Sequence, residues 1–155
     1  MTDEEIEIVR DAQDVDLRMD VLSKMIDRRF TLLGIDVGGA KIKEKDLDKW
    51  GELPKMPRIV VFSDIRALLQ KAADDIDDIA GRNDITQTQN KMEGKLFPKA
   101  VRLLAASAQR YLPHLQKAEA ESEDQGERGN LQTAIELCEA MIESVQKLPP
   151  EVKKK

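Results

Sequence analysis

Cysteine and histidine each occur once in this 155-residue chain, as Cys138 and His114, and aromatic residues make up only 3% of it. A lone cysteine cannot close an intrachain disulfide or supply the thiolate set of a zinc site. A lone histidine excludes ferritin-like di-iron chemistry, which needs two Glu-x-x-His pairs. With so few rings, the core has to be aliphatic, built from Leu, Ile, Val, Met and Ala. No apolar stretch approaches the ~20 residues of a membrane-spanning helix, so no membrane partner is expected. The chain opens Met1-Thr2-Asp3-Glu4-Glu5, acidic where a secretory leader would be basic, and the expected location is the cytoplasm. A basic excess is missing as well. The net charge of −5 argues against a dedicated nucleic-acid binder.

The residues present favour helices. Hydrophobic residues make up 41% and charged residues 35%, too apolar for a disordered chain and suited to helices with one wet face. Leu, Met, Ala, Glu, Lys, Arg and Gln lose little side-chain freedom in a helix. One domain is expected over residues 1–148. Pro149-Pro150 and the lysines at 153–155 read as a solvated C-terminal tail over 149–155.

Hydrophobic periodicity predicts four helices. Val15, Met19, Leu22, Ile26, Phe30 and Leu33 recur in steps of three and four, predicting a first helix over about 3–33. Gly34 suits its left-handed cap. Residues 34–56 are irregular, with Gly38-Gly39 placed as the turn of a small β-hairpin and Trp50 as an anchor. Val61, Ile65, Leu68, Ala72, Ile76 and Ile79 predict a second helix over about 58–81. The β-branched run Ile59-Val60-Val61-Phe62 competes as a short buried strand. Thr86 and Gln89 match a capping box for a third helix starting near 87, to be kinked or split at Pro98 and Pro113. Glu119 to Gly129 reads as a polar connection. A fourth helix follows over about 130–147, capped by Asn130 and carrying Cys138 on its apolar stripe. Cys138 is accordingly a core residue and not a nucleophile. Each helix must hide its stripe, so the expected fold class is all-α, a four-helix bundle in up-down-up-down order.

Three strings carry chemistry. Leu33-Gly34-Ile35-Asp36-Val37-Gly38-Gly39-Ala40-Lys41-Ile42 resembles the phosphate-binding hairpin of the sugar-kinase and actin-like ATPase superfamily, in which an Asp and paired glycines join two strands. The likeness spans these ten residues alone and lacks the α/β context, so a tight turn accounts for the glycines. Asp74-Asp75-Ile76-Asp77-Asp78 resembles the DDxxD motif with which isoprenoid synthases hold diphosphate through magnesium. That resemblance implies a magnesium site at Asp74, Asp75 and Asp78, whereas charge patterning alone makes the run a solvated face. Arg110 and His114, four positions apart, resemble the Arg–His motif of HEPN-domain ribonucleases, although that family has a longer spacer and no proline within it. The resemblance implies His114 as general acid/base and Arg110 as the group holding a phosphate.

No string forms a complete catalytic set and no cofactor fingerprint is present. The expected function is therefore a non-catalytic helical bundle acting through a protein partner or through self-association, as a homodimer. A HEPN-like nuclease using Arg110 and His114 is the alternative.

Overall fold

Thr2 starts the first helix. Its hydroxyl accepts the backbone N–H of Glu5 at 3.1 Å while the Glu5 carboxylate accepts the Thr2 N–H at 2.9 Å, a capping box that seeds α1 (Asp3–Asp11). The computed structural model describes residues 1–39, 42–85 and 91–147. The helix expected over 3–33 is in fact two: the chain turns at residues 12–14, and α2 (Val15–Leu32) begins after an extended Asp14. The break lets α1 fold back, burying Ile8 and Val9 and bringing Glu5 against Arg28 and Arg29. A continuous helix would hold positions 5 and 29 roughly 36 Å apart at its fixed rise per residue.

Gly34 ends α2 as its sequence position implies. At φ 74° it closes a Schellman motif, with Ile35 N–H donating to Phe30 O at 3.0 Å and Gly34 N–H to Thr31 O at 2.9 Å. Beyond it, Asp36 Oδ1 accepts the Gly38 N–H at 2.9 Å, and Gly38 and Gly39 both hold positive φ. The described residues contain no strand, so the expected hairpin is not seen; its residues Ala40 and Lys41 lie outside them. A 3-10 turn (Glu44–Asp46) leads into the short α3 (Leu47–Trp50). Trp50 is buried and lies under the Arg28 guanidinium at 5.4 Å, anchoring this connection as anticipated.

Helix α4 (Arg58–Ile85) takes in the ambiguous run at 58–62. Val61 and Phe62 are buried and Ile59 and Val60 exposed, a division that a helix makes and a strand buried on both faces would not. The capping box at Thr86 and Gln89 lies outside the described residues. Helix α5 (Lys91–Glu121) runs through Pro98 and Pro113 without splitting. Each proline removes a single rung of the ladder, and core packing holds the rest in register, through the partly buried Leu96 and Phe97 and the buried Ala100 around Pro98 and through the buried Tyr111 and Leu115 around Pro113. The polar connection expected at 119–129 shrinks to residues 122–124, because Asp124 accepts the Glu127 N–H at 2.9 Å and caps α6 (Gln125–Ser144) ahead of Asn130. A 3-10 turn, Val145–Lys147, follows.

Every described element is helical. Helices α2 and α6 each pack against both α4 and α5, and α1 packs against α2 and α3. The centre is aliphatic, with Met19, Leu22, Met25, Ile26, Ile65, Leu69, Leu115 and Leu131 fully buried. Each contributes roughly 1.5–3 kcal/mol relative to exposure. No helix among the described residues is long and apolar enough to cross a membrane.

Candidate functional site

The seam between α2 and α5 is polar along one edge. Ser23 and Asp27 lie one turn apart on α2, and Ser107, Arg110 and Tyr111 face them from α5. The Ser107 hydroxyl donates to Ser23 Oγ at 2.9 Å, with both serines buried. Tyr111, fully buried and stacked on Phe30 at 5.4 Å, carries its hydroxyl 2.6 Å from Asp27 Oδ1 and 2.9 Å from Ser23 O. Arg110 spreads its guanidinium over three partners: Ser107 Oγ at 3.2 Å, Val37 O at 3.1 Å and Asp27 Oδ1 at 3.4 Å.

Burial raises the Asp27 carboxyl above its ordinary value, outweighing Tyr111 and Arg110, which favour the charged form. Tyr111 moves the same way. Burial, then the charge and hydrogen bond of Asp27, keep its phenol protonated far beyond the physiological range.

Beside this seam opens a cleft of about 460 Å³ between α2 and residues 36–39 and 42–47. Lys24, Asp27, Arg28 and Thr31 form its α2 wall, and Asp36, Val37, Gly38, Gly39, Ile42 and Leu47 the other. Arg110 fastens the second wall to α5 by gripping the Val37 carbonyl. The φ of 86° at Gly39 disfavours any side chain, and a Cβ there would lie 2.5 Å from Arg110 Nη1 and push the guanidinium aside.

The α1 end of the cleft wall is fixed by a second charge cluster. Arg28 donates to Glu5 at 3.0 Å and to Gly51 O at 2.8 Å, and Arg29 makes a two-pronged pair with Glu5 while lying 3.5 Å from Asp64. Burial works against the Glu5 charge, but the Arg29 and Thr2 hydrogen bonds and the two guanidinium charges prevail and hold its carboxyl below the ordinary value.

The residues singled out in the sequence fall in different places. Arg110 is part of the seam, whereas the half-buried His114 sets its ring against Phe30 at 6.3 Å, and no hydrogen bond joins the two side chains. Asp75 lies 3.5 Å from Lys71 and 3.8 Å from Arg18, Asp74 accepts from Gln70 at 3.0 Å, and Asp78 is exposed. Among the described residues no group of three or more carboxylate, thiol or imidazole side chains is gathered to hold a metal ion. Cys138 is fully buried, and burial together with Glu139 pushes its thiol up to about 12.

Sequence patterning missed Ser23, Asp27 and Ser107. They flank the apolar stripes of α2 and α5, where a polar residue looks like the start of the wet face. A signal did exist in Tyr111, the single tyrosine, placed on an apolar stripe where its hydroxyl must find a partner. No protein-family model matches the chain, and neither a curated protein nor a solved structure does.

Proposed function

We propose that this protein acts by binding a protein partner, and that the cleft between α2 and residues 36–39 and 42–47 is where the partner docks. The observation behind this is Leu47, which is 51% exposed although it borders a concave surface shared with Val37 and Ile42. Apolar area beside such a concavity gains roughly 25 cal/mol for each Å² that a partner covers. Lys24, Asp27, Arg28 and Asp36 surround it with charge of both signs, which orients a partner more than it adds affinity. In this proposal the four long helices are the scaffold, an up-down-up-down bundle, and the segment before α4 is the working part. A second copy of the chain is the competing occupant.

Selection of a displayed random-peptide library on the wild-type protein and on Leu47→Glu tests the proposal. Enrichment of peptides bearing a bulky apolar side chain on the wild type, lost on the variant, supports it. Equal enrichment on both, or none on either, removes it. Sedimentation velocity over a range of concentrations separates the occupants, since a dimer abolished by Leu47→Glu would assign the cleft to self-association.

A further inference from the structure

The Tyr111 hydroxyl has one proton and two oxygen neighbours that ordinarily only accept, Asp27 Oδ1 at 2.6 Å and Ser23 O at 2.9 Å. One O–H can only be shared weakly between the two, and both contacts become full hydrogen bonds together when Asp27 supplies a proton of its own. Asp27 then donates to the Tyr111 oxygen and Tyr111 donates to Ser23 O. With Asp27 ionised, Tyr111 must turn its proton to the carboxylate, and Ser23 O keeps only its helical partner. The same ionisation acts on Arg110, whose Nη1 lies between Asp27 Oδ1 at 3.4 Å and Val37 O at 3.1 Å.

We infer that Asp27, Tyr111 and Arg110 form a proton-operated latch that governs how firmly the 36–39 segment is held against α5. Proton uptake from solvent by Asp27 releases Arg110 from its ion pair and leaves the guanidinium to the Val37 carbonyl, closing the latch. Proton loss draws both α5 donors towards the carboxylate and loosens the grip on Val37. Because Val37 and Gly39 line the cleft, its wall moves with the proton. This inference stands whether or not the cleft has a partner.

The surroundings of Asp27 are mixed in charge. On α2, Asp20 opposes its ionisation, Lys24 is paired with Asp20 at 2.8 Å, and Arg28 is committed to Glu5. From α5 come Arg110 and Tyr111, with His114 a turn further along against Phe30. The facing segment contributes Asp36, whose carboxylate is occupied by the Gly38 N–H. Burial then tips the balance towards the neutral acid.

The test is a carboxyl and amide NMR titration of the wild type, Asp27→Asn and Asp36→Asn. Asp27 is expected to titrate above 3.8, with the Val37 and Gly39 amides and the Arg110 side-chain nitrogens following the same midpoint. Asp27→Asn should fix those signals at their low-pH positions, and Asp36→Asn should leave the transition in place. An Asp27 midpoint at or below 3.8, or 37–39 signals that follow Asp36 instead, would overturn the latch. The wild-type titration decides between these outcomes even if a variant fails to fold.

Discussion

Glu5 and Arg29 meet in the interior with essentially no solvent contact, Glu5 at 0% exposure and Arg29 at 1%. Arg29 Nη2 donates to Glu5 Oε1 at 2.7 Å, and Arg28 reaches the other carboxylate oxygen. The pair ties α1 to α2 across the turn at residues 12–14. Arg29→Met takes away the two-pronged partner and leaves the buried Glu5 carboxylate to Arg28 and the Thr2 N–H, so it should cost about 3 kcal/mol in urea unfolding, the low end for a broken buried pair. Glu5→Leu combined with Arg29→Met should cost clearly less than the sum of the single changes, since no orphaned charge is left between them. Strict additivity in that cycle would mean the pair does not act as a unit.

Acid should weaken the same tie. The folded-state value of Glu5 lies below its ordinary 4.5, so its contribution is fully present above 4.5 and is lost as pH falls through the folded value. Glu5→Gln should therefore melt well below the wild type at neutral pH, with the gap closing under acid conditions. A gap that stays constant with pH would contradict the assignment.

Asp27 carries the opposite sign. Its folded value is raised above 3.8, so its favourable contribution is complete below 3.8 and is lost as pH rises through the folded value. Asp27→Asn mimics the protonated acid at every pH. Calorimetric melting should show it more stable than the wild type at neutral pH and equal to it under strongly acid conditions.

Two glycines of similar backbone conformation should respond differently to alanine. Gly34, at φ 74°, has open space where a Cβ would go, so Gly34→Ala should cost roughly 1 kcal/mol for the left-handed backbone alone. Gly39→Ala adds the collision with Arg110, whose displacement also breaks the bond to Val37 O. It should destabilise more in chemical unfolding and shift the Tyr111 signals. Equal costs at the two positions would argue against the Arg110 contact.

Cys138 should be chemically silent. A buried thiol held protonated up to about 12 exposes no thiolate near neutrality, so Ellman's reagent should label it only after denaturation. Rapid labelling of the native protein would show α6 to be less securely packed than the core implies.

The sequence by itself determined the helical class, the dry face of each long helix, the glycine that ends α2 and the burial of Trp50 and Cys138. These follow from short-range periodicity and local backbone limits, which operate within a few residues and are legible wherever the pattern persists. The break at 12–14 and the early start of α6 went against local expectation, and of the two outcomes expected at the prolines of α5 the split did not occur. In each case packing across the core, or a single capping carboxylate, outweighed a preference worth roughly 1–3 kcal/mol. The polar seam lay further from reach. Asp27 and Tyr111 are separated by 84 positions, as Arg29 and Asp64 are by 35, and no periodicity along one helix says which residue of another will face it. Only the tertiary structure decided those pairs, because burying a charge or a hydroxyl depends on the partner that arrives from elsewhere in the chain.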